Sequence, residues 1–223
     1  ADNTYTGLTT VSDGILAINH ANALGTTAGA TSVASGATLS ISNGINVPEP
    51  ITISGTGDSS IGAIRFTGGA NTYSGAIILG ANATISSTGT GGTTFSGTIN
   101  ATSGGGQSLT ISTSTDDLTI SGVIGGTTRP STVDISATGV SKTLSIDQDL
   151  SSTNNQTLTA AGGITISGAR TFTSTSGTIN TASALSGNNS FVISGNADID
   201  GAITGITTFS VSGTSDLGNN ITT

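Results

Sequence analysis

NTYSG at residues 71–75 recurs as NTYTG at 3–7 and as TTFSG at 93–97. Each copy places one aromatic ring (Tyr5, Tyr73 or Phe95) two residues before a glycine (Gly7, Gly75 or Gly97). The rings stand 68 and 22 residues apart, close to three periods and one period of a repeat of about 22–23 residues. In a chain with only 3% aromatic residues, rings at such intervals read as register marks of a repeating fold. They are expected at equivalent places in successive units, stacked inside the coil or along one face. Sugar stacking is the other use open to them.

Outward from these marks the period is two. ATLSIS (37–42), ITISG (51–55), SLTIST (108–113), LTISG (118–122), KTLSID (142–147), ITISG (164–168), FVISG (191–195) and TTFSVSG (207–213) alternate apolar with small polar residues. Such alternation turns one face of a strand inward and the other to water. The glycines closing five of these strands, Gly55, Gly122, Gly168, Gly195 and Gly213, are separated by 67, 46, 27 and 18 residues. SGTIN occurs at both 96–100 and 176–180. The nearest approach to a helix is ILAINHANAL (15–24), whose first four residues serve equally well as a strand. Short strands in a repeat of 20–25 residues predict an all-β solenoid, a parallel β-helix of roughly ten coils filling a single domain, 1–223. At the spacing of neighbouring strands, ten coils make a rod of roughly 45–50 Å. An immunoglobulin-like sandwich fits less well, because it carries shorter turn spacing and larger core aromatics.

Composition narrows the function. Of the 223 residues 34 are glycine, and charged residues make up 7%. Ile, Val and Leu recur throughout, which opposes a disordered chain. The four basic residues, Arg65, Arg129, Lys142 and Arg170, are scattered, so no basic patch faces nucleic acid, and a net charge of −8 disfavours an anionic membrane surface. The chain has no cysteine and hence no disulfide framework. No segment has the roughly 18 consecutive apolar residues of a membrane-spanning helix, so membrane insertion by this chain is not expected. A chain that begins at Ala1 and has no methionine reads as a processed product or a fragment.

The first hundred residues resemble a known family. NTYTGLTTVSDGILAINHANALG followed by SVASGATLSI, within 3–41, resembles the passenger-associated repeat of bacterial autotransporters, through Thr10-Val11, Gly14-Ile15-Leu16, Ala23-Leu24-Gly25 and Val33 to Leu39. Residues 51–87 resemble the segment that commonly follows it. Beyond about residue 100 only the Ser/Thr/Gly strand style persists, so 101–223 are looser repeats. The resemblance implies a right-handed parallel β-helix, secreted or displayed on a bacterial cell surface as stalk or scaffold of an adhesin-like protein. It also implies that any membrane-anchoring barrel lies outside this chain.

Candidate sites are few. Asp116-Asp117, Asp147 with Asp149, and Asp198 with Asp200 are the carboxylate pairs that a glycan-cleaving β-helix would need. Lys142 is the only basic residue near them in sequence and His20 is distant, so the aspartates read as turn caps and surface charge, and no enzyme is expected. NADIDG (196–201) offers Asn196, Asp198 and Asp200 as the opening of a calcium loop, although the twelfth position is Thr207 where a glutamate is needed. No other cofactor is expected. Thr171, Thr173 and Thr175, with Thr157 and Thr159, raise ice binding, which requires the same Thr-x-Thr in every coil; here the coil length wanders. The expectation is therefore a structural or adhesive extracellular solenoid, a stiff stalk or a fibre subunit joined end to end by strand pairing. A glycan-binding or glycan-cleaving β-helix is the alternative, and an ice-binding solenoid a minor one.

Overall fold

The computed structural model describes residues 2–222. Every strand pairing among them is parallel, and the chain winds through three columns of short strands, one coil stacked on the next. The first column begins with Thr9–Val11, Thr31–Val33 and Ile51–Gly55, and ends with Thr208–Val211. The second runs from Ile15–Ile18 through Thr38–Ser42, Leu109–Thr113, Val133–Ala137 and Gln156–Ala160 to Ser215–Leu217. The third runs from Asn46–Val47 through Asn71–Tyr73, Thr93–Phe95 and Leu118–Ile120 to Ile221–Thr222. Three long strands, Ile77–Ser87, Arg170–Thr181 and Ser190–Ile199, turn the corner from the first column into the second and join both into one sheet. Among the described residues the only helix is the single 3-10 turn Asp58–Ser60, in a corner. ILAI (15–18) is a strand, and the residues after it form a turn.

Alternation creates the core. In Leu109–Thr113 the first, third and fifth residues are buried, while the threonine and serine between them stay partly exposed. Like side chains then stack coil upon coil. In the third column Val47, Tyr73, Phe95, Ile120, Ile146 and Ile166 are successive partners. All six are at most 1% exposed. Rings add edge contacts between coils: Phe66 meets Phe95 at 5.5 Å between centroids, and Phe172 meets Phe191 at 4.8 Å.

Coil length varies, as the sequence implied. Thr9 pairs with Thr31 and Thr31 with Ile51, but Ile51 pairs with Ile77 and Leu118 with Leu144, so these coils range from 20 to 26 residues. The last coils shorten to 18: Leu185 pairs with Ile203, and Ile203 with Ile221. Extra residues are accommodated at corners, such as the one holding the Asp58–Ser60 turn, while the stacking register of the columns is kept.

Candidate functional site

The corner after the third column explains the repeated motif. Gly75, Gly97 and Gly122 lie one above another, each so close to the carbonyl below that a Cβ would overlap it. On Gly97 that atom would stand 1.9 Å from the oxygen of Gly75, and on Gly75 it would stand 2.1 Å from the oxygen of Glu49. The N–H groups of Ser96 and Gly97 both donate to the carbonyl of Tyr73, and those of Ser121 and Gly122 to the carbonyl of Phe95. The chain turns here by folding two donors onto one acceptor, and only a residue without a side chain permits that approach. Tyr73 and Phe95, two residues upstream, point into the core in direct register. The Tyr73 hydroxyl donates to the carbonyl of Glu49 at 2.8 Å, and burial pushes its ionisation far above the ordinary range, so it remains a donor.

The copy at 3–7 occupies the matching place in the first coil, with Gly7 beneath Gly29. Tyr5 is nevertheless 43% exposed, because no coil lies beneath it in the described chain, and its hydroxyl bonds the Thr9 hydroxyl at 2.7 Å.

The acidic pairs separate. Asp116 is buried and accepts from the Ser87 hydroxyl at 2.9 Å, the Thr93 hydroxyl at 2.8 Å and the Gly92 N–H, which fastens a corner. Its neighbour Asp117 faces outward and accepts from the backbone and hydroxyl of Thr143, with Lys142 at 3.9 Å. The Thr143 N–H chiefly, then its hydroxyl and the Lys142 charge, hold the Asp117 carboxyl below its usual range against a smaller opposing effect of burial. Asp147 accepts from the Ser121 hydroxyl and Asp149 from the Thr171 N–H, so these two serve different neighbours.

Asn196 and Asp198 lie on the extended strand Ser190–Ile199, with Asp200 just beyond it, and all three are exposed. Alternate side chains of an extended strand stand about 7 Å apart, so the segment does not wrap as a calcium loop does. The Asn196 side-chain oxygen instead accepts from the Thr214 N–H of the next coil. Asp198 and Asp200 border a shallow recess of about 200 Å³ with Thr157, Thr159 and Asn180. Along the stacking direction Thr157 has Asp134 on one side, and Asn180 is followed by Asp198 and Asp216. Thr171 and Thr173 pair in the first column and Thr157 and Thr159 in the second, so these threonines lie on different walls. No group of three or more His, Cys, Asp or Glu side chains converges on a point among the described residues.

A larger recess, about 470 Å³, opens at the N-terminal corner and is lined by Asp2, Asn3, Asn22, Thr26 and Glu49 among others. Sequence reading passed over Glu49, although it is the only glutamate in the chain. Its signal was position: Gly7, Gly29, Glu49, Gly75, Gly97 and Gly122 form one row, in which it alone carries a side chain.

The two ends of the rod are the other notable surfaces. Among the described residues, five of the six exposed large apolar side chains belong to the terminal coils: Tyr5, Leu8 and Ile15 at one end, Leu217 and Ile221 at the other. Each end also presents strands paired on one side only, such as Ile15–Ile18 and Ser215–Leu217. Among the described residues no helix is long and apolar enough to cross a membrane. Comparison with protein-family models, with curated proteins and with solved structures returns no match for this chain.

Proposed function

We propose that the protein is a non-enzymatic structural solenoid of a bacterial cell surface or extracellular fibre, a stiff rod that joins to others end to end by strand pairing. The carrying observation is the concentration of exposed apolar side chains on the two terminal coils, beside strands with one unpaired edge. An unpaired edge is a template for another strand. The two ends differ, so their union is head-to-tail and yields an open filament. The sides of the rod are small, polar and sparsely charged, which suits a stalk that contacts solvent along its length. The likeness of residues 3–41 to the autotransporter passenger repeat supports the cell-surface setting.

Electron microscopy of the purified chain, with sedimentation over a range of concentrations, tests the reading. Filaments one rod wide that lengthen with concentration are expected, and Leu217→Asp with Ile221→Asp is expected to shorten them to single rods. A wild-type chain that stays monomeric at high concentration overturns end-to-end assembly.

A further inference from the structure

Five buried side-chain polar atoms have no hydrogen-bond partner among the described residues, and two of them, Thr26 Oγ1 and Glu49 Oε1, belong to residues that line one recess. Glu49 is 2% exposed. Its Oε1 has no hydrogen-bond partner. Glu49 and Thr26 both line the 470 Å³ recess, together with Asp2, Asn3, Asn22 and Thr27. Neither lysine nor arginine is among the lining residues.

A buried carboxylate without a counter-charge is costly, and such groups are paired or hold a metal. The other acids bear less of this cost: Asp134, whose carboxyl burial also raises, keeps its side chain exposed. Asp116 is as deeply buried as Glu49 but has three donors, and most of the rest face water. We propose that the N-terminal recess is a divalent-cation site of the calcium class, with Glu49 as the anchoring ligand and Asp2 as the second carboxylate.

The donors on offer are all oxygens, from carboxylate, amide, hydroxyl and loop carbonyl groups, which is the set a hard cation takes. They come from three loop segments rather than one rigid strand, which suits the adaptable six to eight ligands of calcium better than the strict octahedron of magnesium. With about 30 Å³ per water, the recess holds an ion and part of its hydration shell. Several of these loops are already fixed in place. Asn22 Nδ2 donates to Asp2 Oδ1 at 2.7 Å, Asn3 Nδ2 to the Ala23 carbonyl at 2.7 Å, and the Thr26 N–H to the Tyr5 carbonyl at 2.9 Å. Burial raises the Glu49 carboxyl above its usual range, with the Ala30 N–H opposing. A bound cation would return it to the ionised form.

The chain supplies its own probe. It has two tyrosines and no tryptophan, and the Tyr5 ring packs against Gly25 on the wall of the recess. Terbium added to the chelator-treated full chain is expected to give saturable luminescence on tyrosine excitation, displaced by calcium; Tyr73, whose hydroxyl bonds the Glu49 carbonyl, also sensitises the ion, so Tyr5→Phe is expected to lower the signal without abolishing it. Calcium at ten times its dissociation constant is expected to raise the melting temperature by about 3–6 °C, in Tyr5→Phe as in wild type. Glu49→Gln is expected to melt no lower than metal-free wild type, since a buried amide avoids the charge, and to lose both responses. Asp2→Asn, on the exposed rim, is expected to weaken calcium roughly tenfold, whereas Asp198→Asn with Asp200→Asn leaves it unchanged. A wild-type chain with neither luminescence nor a calcium-dependent shift overturns the site. So does a Glu49→Gln variant that keeps the full response; if that variant is unfolded, an undiminished response in Asp2→Asn overturns it.

Discussion

Asn71-Thr-Tyr-Ser-Gly75 and Asn3-Thr-Tyr-Thr-Gly7 differ at one residue, yet they live in different surroundings. Tyr73 is fully buried and bonds a main-chain carbonyl of the coil below, whereas Tyr5 is 43% exposed and bonds a hydroxyl four residues away. A Cβ on Gly75 would collide with backbone, and on Gly7 it would meet nothing within 4 Å. The motif therefore encodes the shape of one turn, and the burial that makes the turn matter comes from the coils on either side. In a solenoid, stability is close to a sum of units and their interfaces. An interior coil has two interfaces and the first described coil has one.

The largest expected difference follows from the glycine row. Gly97→Ala inserts a methyl group where there is a carbonyl oxygen, so either the coils separate locally or the corner distorts. A loss of at least about 2–3 kcal/mol is expected in chemical denaturation. Gly7→Ala is expected to stay within about 0.5 kcal/mol of wild type. Equal losses at the two positions would show that the turn itself, and not stacking, demands glycine.

A smaller contrast lies in the two hydroxyls. Tyr73→Phe keeps the ring in the core but strands the Glu49 carbonyl, a loss of about 1–3 kcal/mol. Tyr5→Phe removes a bond that water replaces, and about 0.5 kcal/mol or less is expected. Urea melts of the two variants side by side measure the difference. A Tyr73→Phe variant as stable as Tyr5→Phe would mean that water reaches the corner.

The contrast also explains what the sequence could convey. Alternation within strands was legible because it is local: Leu109, Ile111 and Thr113 inward, Thr110 and Ser112 outward. The assignment of strands to walls was not. ITISG at 51–55 lies in the first column and ITISG at 164–168 in the third. SGTIN at 96–100 turns from the third column into the first, while at 176–180 it turns from the first into the second. Any wall accepts two inward aliphatic residues followed by a glycine corner, so identical pentapeptides do not mark identical places. The rings did mark one, because Tyr73 and Phe95 need a wide core position and the glycine two residues on needs a close carbonyl. The members of the acidic pairs part for a related reason. Adjacent aspartates at a corner are handed to different coils, as Asp147 and Asp149 are. Glu49 was illegible because nothing local reveals that its neighbours in space are glycines 20 and 26 residues away.

The smallest effect separates two acids by sign. Asp117, on the outer wall, has its carboxyl held below the ordinary 3.8 by the Thr143 N–H first, and then by the Thr143 hydroxyl and Lys142. Its contribution to stability is fully present above 3.8 and is lost as pH falls through the lowered value. Glu49, at the N-terminal corner, has its carboxyl raised above the ordinary 4.5 by burial. Its contribution is present below 4.5 and is lost as pH rises through the raised value, because the fold then holds a buried charge. Melting temperatures recorded from acid to neutral pH in a chelator should therefore fall on both sides of a maximum near the ordinary carboxyl range. Asp117→Asn should flatten the acid side alone, and Glu49→Gln should flatten part of the other side, which Glu49 shares with Asp134, whose carboxyl burial also raises. Calcium should act as Glu49→Gln does on the upper side, by supplying the charge that Glu49 lacks, and leave the acid side of Asp117 untouched. If calcium instead shifts both sides equally, it acts on the general charge of the rod rather than on the corner that holds Glu49.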